Sequence, residues 1–404
     1  MSAQVTPLAR RTWLPEVSAV ALIAIATILG FSRFDSTIYN NYVRLADAFL
    51  HGHVWIRWPG DFIDALPRDG KYYVIEGPVP ALLILPAVAV FGRAANQTAF
   101  ACVAAGLAVA SGWYIARKLG ASSSAAALFS AFLLFGTDLL WCAAYGAVWF
   151  TAHVVAMLFA LLAVGELLGA RRPWMIALLL VLAAGSRFTL APALLPLLGY
   201  AFWKLPPAQR PAQIAGVAVV LACAGALFVA YNYARWGVPN DIGYVTWYHQ
   251  DPIGLPDGSP FRIEYFPYEF EAFFLSFPSA VSHYPWLIPR YDAVALEFTS
   301  PALVLAFFAR GERGFLVTMW AATMLVALPS FTYYANGGTQ FGMRHALDFI
   351  PFMFPLMVLG SRRVSWISTG VLCGLSIAVG LWGFWYWRTF YDQFLVHKLP
   401  ALYM

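Results

Sequence analysis

Long apolar runs, separated by short charged turns, make up most of the chain. Their composition predicts transmembrane helices, although several runs are shorter than the ~20 residues that a perpendicular span needs. Counted in order, they indicate about eleven transmembrane helices. The apolar runs cover roughly 15–32, 97–116, 121–137, 147–169, 173–185, 188–203, 211–234, 298–309, 314–331, 345–360 and 364–385.

The basic residues between these runs predict their orientation in the membrane. With Arg10 and Arg11 on the cytoplasmic side, every turn on that side is basic, as the positive-inside rule requires. A full span over residues 79–93 would break this pattern, so we interpret that stretch as a re-entrant or interfacial helix, and we expect the C-terminus outside. The basic turns are Arg117-Lys118, Arg171-Arg172, Lys204/Arg210, Arg310/Arg313 and Arg362-Arg363.

Composition supports one all-α integral membrane domain over residues 1–404. The chain of 404 residues is 61% hydrophobic and 11% charged, whereas soluble domains carry about 25% charged residues. The net charge of +5 lies mostly in the short turns and reflects orientation in the bilayer, so it does not indicate nucleic-acid binding. The four cysteines are interpreted as small core residues, since they lack the spacing of a metal site or a disulfide framework.

Two large loops, 33–96 and 235–297, are predicted on the outer side. The first loop has an amphipathic pattern over 35–50, which predicts a helix lying in the membrane interface. Asp35 stands at its start, directly after the first span. Two interpretations remain open: Asp35 caps this helix, or it is a carboxylate that accepts a proton from a sugar or lipid hydroxyl at the membrane surface.

The remainder of the first loop carries further candidate binding residues. Asp69-Gly70 is a turn signal. Beside it, Arg68 and the run Lys71, Tyr72 and Tyr73 are candidates for contacting a phosphate or a sugar, or for anchoring the loop among the lipid headgroups. Asp61 and Asp64, just before this turn, are a pair of carboxylates that could bind a divalent cation.

Two arginines are candidate contacts for a lipid phosphate. Arg187 stands between apolar runs without an adjacent acid, and a buried arginine needs a partner. An anionic phosphate, an interhelical salt bridge or snorkelling to the surface would each provide for it. Arg344 and His345 enter a late helix, where Asp348 either pairs with Arg344 four residues earlier or directs Arg344 towards a phosphate. Glycines at 337, 338 and 342 would let the backbone approach that ligand.

Four segments resemble the GT-C superfamily of polytopic glycosyltransferases, which includes protein O-mannosyltransferases and aminoarabinose transferases. Asp35, at the start of FDSTIYNNYVRLADAFLHGH, is similar to the acidic residue that opens the first outer loop of that family. The other three segments are DGKYYVIEGPVPALLILP, LAAGSRFT and FGMRHALDFIPF, which resemble a Tyr-then-Pro-Leu stretch, a basic residue after the middle helices, and a late basic element entering a terminal span.

The resemblance implies a mechanism and a set of partners. Members of the superfamily take a sugar from a polyprenyl-phosphate donor at the outer face of the membrane, because nucleotide sugars are absent there. Asp35 would be the base that activates an acceptor hydroxyl, and Arg344, with Arg187 as the weaker match, would stabilise the departing phosphate. The acceptor would be a polysaccharide, a lipid or a protein. The expected location is the bacterial cytoplasmic membrane, with the site on its extracytoplasmic face.

One departure from the superfamily pattern concerns the next outer turn. Many members carry a second carboxylate there, but AAYGAVW has none, and Asp138 lies about two turns earlier. A second acidic role and a requirement for a divalent cation therefore stay open.

Two other functions compete with glycosyl transfer. A transporter or lipid flippase would show internal repeats and charges at mid-membrane, whereas no repeat is visible and acidic residues within the runs are few. A membrane acyltransferase that uses His153 or another histidine has no His-Asp motif in the sequence to support it.

Overall fold

The protein folds as a helical bundle, described here from a computed structural model. The structure describes residues 13–57, 65–240, 242–243, 260–290, 293–337 and 339–391. It is 72% helical, which confirms the prediction of an all-α membrane protein. Only two short hairpins add β-structure to the described part of the chain.

Fifteen α-helices follow one another along the described residues. They are α1 Leu14–Ser32, α2 Asn41–Leu50, α3 Val79–Phe91, α4 Gln97–Lys118, α5 Ser123–Phe135, α6 Leu139–Tyr145, α7 Val148–Leu168, α8 Pro173–Ala184, α9 Leu194–Lys204, α10 Arg210–Trp236, α11 Phe266–Phe274, α12 Leu296–Thr299, α13 Arg313–Phe331, α14 Ala346–Gly360 and α15 Trp366–Phe390. Short 3₁₀ helices join several of them, and the hairpins are β1 Ala65–Arg68 with β2 Lys71–Val74, and β3 Ser279–Ala280 with β4 Leu287–Ile288.

Among the described residues, 6 helices are long and apolar enough to cross a membrane: α1, α4, α7, α10 with its preceding 3₁₀ turn, α13 and α15. A seventh span results if α5 and α6, which meet at an angle of 52°, are counted together. The remaining predicted runs form shorter segments, such as α8 and α14. The long helices therefore match the clearest apolar runs, and the count of eleven stays a prediction.

The bundle has one polar end, which we call the loop end: the end where α1 finishes and where α4 and α7 begin. Gln97, the first residue of α4, ties these elements together. Its side-chain amide donates to the backbone oxygens of Tyr39, at 3.1 Å, and of Gly146, at 2.7 Å. The backbone N–H of Thr37 also donates to the hydroxyl of Thr98, at 3.3 Å. The first loop is thus fixed to the ends of three helices.

The first loop differs from its prediction at one point. Its helix begins at Asn41, six residues after the predicted start at Asp35, and Asp35 therefore does not cap it. Tyr42 and Leu45 of this helix are fully buried. Asp69 and Gly70 both have positive φ angles, of 51° and 70°, and form the predicted turn between β1 and β2. Helix α3 packs on α2 and, at 13 residues, is too short to span a membrane upright.

The part of the second loop from residue 260 to residue 274 lies across the loop end. The backbone N–H of Arg262 donates to the oxygen of Thr332, at 2.7 Å, and the N–H of Tyr334 donates to the oxygen of Pro260, at 3.0 Å. The ring of Phe261 also packs on that of Phe188, with centroids 5.6 Å apart. Residues 260–274, including α11, therefore cover the segments that precede α9 and α14.

Candidate functional site

A buried polar centre lies at the loop end. Within it, both carboxylate oxygens of Asp348 are hydrogen-bonded. His153 approaches Oδ1 of Asp348 through Nδ1, at 2.7 Å. Oδ2 accepts hydrogen bonds from Thr189 Oγ1, at 2.7 Å, and from Arg187, at 3.1 Å from Nη2 and 3.3 Å from Nε. The carboxylate is fully buried, and these donors explain how a charge is tolerated there.

Three separate elements bring these side chains together. Asp348 lies in the first turn of α14, and His153 lies in the second turn of α7. Arg187 has an extended backbone and directly precedes the 3₁₀ helix Phe188–Ala193, which carries Thr189. No local sequence motif links these positions, which explains why the His-Asp pair was not visible in the sequence.

Arg187 forms the interhelical salt bridge that the sequence left open, with Asp348 as its partner. The pairing considered between Arg344 and Asp348 was wrong, because no ion pair within 4.0 Å joins them among the described residues. The helix begins only at Ala346, so Arg344 stands in the preceding loop. The i,i+4 geometry that brings such pairs together requires both residues to be helical.

Arg344 is a buried cation, 7% exposed, with no carboxylate in ion-pair contact among the described residues. Its Nη1 donates to Gln340 Oε1, at 2.8 Å. The guanidinium lies against Gly337, where an added Cβ would be 2.7 Å from its Cζ, and above the ring of Phe150, at 5.5 Å. Burial lowers the pKa of Arg344 to about 10, so the guanidinium remains charged at neutral pH.

Gly337 is needed because the guanidinium of Arg344 lies directly against its backbone. Its φ angle is +109°, a conformation that side chains rarely adopt, and a side chain here would displace the Arg344 guanidinium. Gly342 has a similar role, because an added Cβ would be 2.7 Å from Oδ1 of Asp138. The remaining predicted glycine, Gly338, lies outside the described residues.

Two carboxyl groups flank Arg344 at longer range. Asp138 lies at the break between α5 and α6, interacts electrostatically with Arg344, and has a buried Oδ2 without a hydrogen-bond partner in the described part of the chain. Glu269 of α11 is fully buried, and neither of its carboxyl oxygens finds a hydrogen bond among the described residues. Burial raises the pKa of Glu269 to about 8, against the opposing effect of Arg344.

Two histidines complete the polar centre. The rings of His153 and His345 lie 5.3 Å apart, and His345 is 5% exposed. Nε2 of His153 and Nδ1 of His345 are buried without hydrogen-bond partners in the part of the chain that the structure describes. Because His153 contacts Asp348 through Nδ1, its Nε2 is left as the proton acceptor of a neutral imidazole. The histidine–carboxylate pair is thus present, although the sequence had no motif for it.

Asp35 lies at a second position on the loop end, in an ion pair with Arg388. Nη1 of Arg388 is 3.0 Å from Oδ2 of Asp35, and the Asp35 side chain is 27% exposed. Arg388 also donates to the backbone oxygens of Phe31 and Ser32, at 3.2 and 3.1 Å. This arginine was missed in the sequence because it follows the last predicted span, in an aromatic stretch. Like Arg187, Arg388 is a single basic residue after an apolar run, and this sequence feature could have identified it.

An aromatic layer connects Asp35 with the polar centre. Arg388 lies over the ring of Tyr145, at 5.2 Å, and Tyr145 contacts Trp141, at 5.3 Å between centroids. Trp141 packs on Phe150, at 4.5 Å, which is the ring beneath Arg344. Arg388, the partner of Asp35, and Arg344 thus border the same group of buried aromatic rings.

The predicted binding residues of the first hairpin are placed elsewhere on the loop end. Lys71 Nζ lies 5.1 Å from the ring centroid of Trp55, and Tyr72 exchanges backbone hydrogen bonds with Ile56. Tyr73 is buried, 5.2 Å from the ring of Trp236. Arg68 donates to the backbone oxygen of Arg235, at 3.2 Å. These contacts dock the hairpin on segment 55–56 and on the end of α10.

The sequence left open whether the protein needs a divalent cation. Among the described residues, no group of three or more His, Cys, Asp or Glu side chains could hold a metal. Asp61 and Asp64, the pair considered for this role, lie outside the described residues. The cysteines Cys102, Cys142 and Cys373 are buried and unpaired, whereas Cys223 is exposed on α10.

No family model, curated protein or solved structure matches the chain. The resemblance to the GT-C superfamily therefore rests on the four segments quoted from the sequence, and its architecture and chemistry enter below as a proposal.

Proposed function

We propose that this protein is a GT-C-like glycosyltransferase that moves a sugar from a polyprenyl-phosphate donor to an acceptor hydroxyl at the loop end of the bundle. The acceptor is a polysaccharide, a lipid or a protein, and the loop end faces the extracytoplasmic side of a bacterial cytoplasmic membrane. One observation carries the proposal: Arg344 is a buried cation, and no carboxylate is in ion-pair contact with it among the described residues.

An anionic ligand is the chemistry that such an arginine requires. A buried unpaired charge costs several kcal/mol (roughly 3–5 kcal/mol when one partner of a pair is removed). A phosphate would offset this cost, because the guanidinium fork matches two phosphate oxygens. Arg187 forms an ion pair with Asp348, at 3.1 Å, so Arg344 is the cation that remains for a ligand. This supports Arg344, rather than Arg187, as the contact with the donor phosphate.

In the proposed reaction the acceptor oxygen attacks the anomeric carbon of the sugar while its proton passes to a base. The bond between that carbon and the phosphate oxygen breaks, and its electron pair leaves with the polyprenyl phosphate. Arg344 stabilises the charge that develops on this phosphate. Asp348 is held in place by its hydrogen bonds with His153, Arg187 and Thr189, so this part of the site is ordered before a donor binds.

Asp35 is the proposed base. Its side chain is 27% exposed, so an acceptor hydroxyl that arrives from the aqueous side can reach it. His153 also has a free acceptor nitrogen, but its side chain is 0% exposed. Arg388 keeps the Asp35 carboxylate in place through Oδ2, at 3.0 Å.

The proposal is tested by sugar transfer from a panel of polyprenyl-phosphate sugars to a lysate-derived acceptor fraction, with purified protein. We expect wild type to consume one donor, and Arg344→Gln to lose ~10²–10³-fold in rate, the size of effect seen when a group that stabilises developing negative charge is removed. Arg344→Lys keeps the charge but loses the fork, so its rate should lie between the two. The matched control is Arg363→Gln, an exposed arginine at the opposite end of the bundle.

The base is tested in the same assay with Asp35→Asn and His153→Asn. Removal of the base should lower the rate ~10²–10⁴-fold without changing donor binding or monodispersity. Full activity in Asp35→Asn, with loss in His153→Asn, would reject Asp35 and move the role to the His153–Asp348 pair. If wild type consumes no donor but exchanges a lipid-linked sugar across proteoliposomes, the protein is a transporter and the proposal fails.

A further inference from the structure

A second group of cations lies at the loop end, in an open pocket that the polar centre does not include. The pocket has a volume of about 260 Å³. It is formed by α2, by the segment that follows α2, and by the 3₁₀ turn Gly92–Ala94 after α3. Three arginines and two histidines line it, together with a single carboxylate. The lining residues are Arg44, Asp47, Ala48, His51, His53, Trp55, Ile56, Arg57 and Arg93.

The charge of this pocket is strongly unbalanced. Asp47 is its only lining acid, and Arg93 already pairs with it, at 2.7 Å between Nε and Oδ2. Arg57 is exposed and makes no ion pair among the described residues. Three arginines against one aspartate give these four side chains a net charge of +2. Such a pocket attracts anions at the membrane surface.

Two of the three arginines, Arg44 and Arg93, are held in place by side-chain hydrogen bonds. Arg44 donates through Nε to Oδ1 of Asn40, at 2.8 Å, and Arg93 donates through the corresponding atom to Asp47. His51 contacts the backbone oxygen of Asp47 through Nδ1, at 2.7 Å. Each of these bonds fixes a side chain that lines the pocket, which lowers the entropy lost when a ligand is bound.

The surface beside the pocket is apolar and exposed. Val90 and Phe91, the last residues of α3, are 74% and 65% exposed, and Leu82 and Leu83 are also exposed on the same helix. Arg93 follows two residues after Phe91. An exposed apolar helix that ends at a basic turn matches the two parts of a phospholipid, with acyl chains along the helix and a charged head at its end.

An aromatic wall completes the pocket. The rings of Trp55 and His53 lie 4.7 Å apart, and Lys71 brings a fourth cation over the Trp55 ring, at 5.1 Å from its centroid. Tryptophan is enriched at the level of lipid headgroups, where its ring meets both apolar and wet surroundings. The position of Lys71, one of the residues predicted from the sequence to contact a phosphate, is thus beside this pocket.

We propose that this pocket binds the phosphate headgroup of an anionic lipid, with the acyl chains lying along α3. Arg57 and Arg93 contact the phosphate, and Trp55 packs against the glycerol or sugar that follows it. The inference does not rest on glycosyl transfer, since it involves none of the residues assigned to that reaction's base or phosphate contact.

The test is a titration of the detergent-purified full chain, followed by its thermal unfolding midpoint, with three probes: dihexanoyl phosphatidic acid, dihexanoyl phosphatidylcholine and inorganic phosphate. A ligand that binds only the folded state raises the midpoint, and the rise grows with the logarithm of its concentration relative to its Kd. We expect phosphatidic acid to raise it at the lowest concentration. Arg57→Gln should weaken this binding roughly tenfold, and the double variant with Arg93→Gln more, as each lost charged contact is worth ~1.5 kcal/mol or more.

Two controls make the result decisive. Arg363→Gln, at the opposite end of the bundle, should bind as wild type does, and the exposed Arg57→Gln variant should unfold at the wild-type temperature without lipid. Equal binding of phosphatidylcholine and phosphatidic acid, or wild-type affinity in the double variant, would overturn the proposal. Inorganic phosphate that binds as tightly as phosphatidic acid would overturn the lipid assignment and identify a site for a soluble phosphate.

Discussion

At the scale of single residues, Asp348 shows how strongly one buried carboxylate depends on distant partners. His153, Arg187 and Thr189 all bond to it, and they are 195, 161 and 159 residues away along the chain. Because the side chain is fully buried, water cannot substitute for a lost partner. The stability of the loop end therefore depends on this one negative charge.

We expect Asp348→Asn to destabilise the protein by roughly 3–5 kcal/mol, since it removes the carboxylate that pairs with Arg187, whose side chain is only 13% exposed. The measurement is the thermal unfolding midpoint of the detergent-purified protein. Asp69→Asn is the matched control, because the Asp69 side chain is 83% exposed and its loss should change stability by less than ~0.5 kcal/mol. Equal midpoints for the two variants would show that Asp348 is not ionised in the folded protein.

Glu269 predicts a dependence of stability on pH. Its folded pKa of about 8 lies above the ordinary value of 4.5, so the unfolded chain releases this proton at a lower pH than the folded protein does. Between these two values each rise in pH favours the unfolded state, and this loss of stability is complete above about pH 8.

We therefore expect Glu269→Gln to unfold at the same temperature as wild type at pH 4.5 and a few degrees higher at pH 8. Glutamine resembles the protonated carboxyl but does not ionise. Thermal midpoints at both pH values, in one detergent, measure the difference. Glu271→Gln, two residues further along the chain, is the control for a change of charge alone. An equal gain in both variants would mean that the gain comes from the lost negative charge in general, and not from the burial of the Glu269 carboxyl.

At the scale of elements, close packing of helices depends on glycines at particular positions. An added Cβ on Gly380 of α15 would be 1.8 Å from the backbone oxygen of Phe135, at the end of α5. On Gly360, at the end of α14, it would be 1.8 Å from the oxygen of Leu305. Small residues let helix backbones approach in membranes, where apolar burial alone does not favour helix association. These contacts fix how α14 and α15 pack on their neighbours.

We expect Gly380→Ala to lower stability by roughly 1–3 kcal/mol, because the added methyl must separate α15 from α5. Gly370→Ala is a control on the same helix, since nothing lies within 4 Å of its added Cβ. This control should be neutral or slightly stabilising, as alanine is the better helix former by about 0.5–1 kcal/mol. The free energy of unfolding in mixed micelles, measured for both variants, decides the matter: equal effects would reject close packing at Gly380.

At the scale of the whole molecule, the loop end and the opposite end differ in chemistry. Arg117, Lys118, Arg171, Arg172 and Arg363 lie in turns at the opposite end and are the basic residues that the positive-inside rule assigns to the cytoplasm. The loop end carries the polar centre, the Asp35–Arg388 ion pair and the basic pocket. This asymmetry predicts which end faces the cytoplasm.

We expect Asp69→Cys to react with a membrane-impermeant maleimide in intact cells, and Arg363→Cys to react only after the membrane is opened. Both variants carry Cys223→Ser, because Cys223 is the exposed native cysteine and the other three are buried. Labelling of Arg363→Cys but not Asp69→Cys in intact cells would invert the orientation and move the polar centre to the cytoplasmic side.

The class of the protein, its long helices and several local features follow from the amino-acid sequence. The membrane helices are visible in sequence because apolar composition over one segment is a local property, and the Asp69-Gly70 turn and the short α3 were predicted for the same reason. The start of the first loop's helix was misplaced by six residues. The start of a helix depends on the backbone angles at that position, and the residue types there favour these angles without determining them.

Tertiary structure alone decided which polar residues meet. The sequence offered Arg344 as the partner of Asp348, but the helix that carries Asp348 begins only at Ala346. Its partners are instead His153 of α7 and Arg187 of the segment that follows α8. The role of Arg388 depends on the tertiary structure, which places α15 beside the first loop. The same holds for Glu269, because α11 lies beside the polar centre. A buried charge must find partners in space, and those partners are set by how the helices pack rather than by their spacing along the chain.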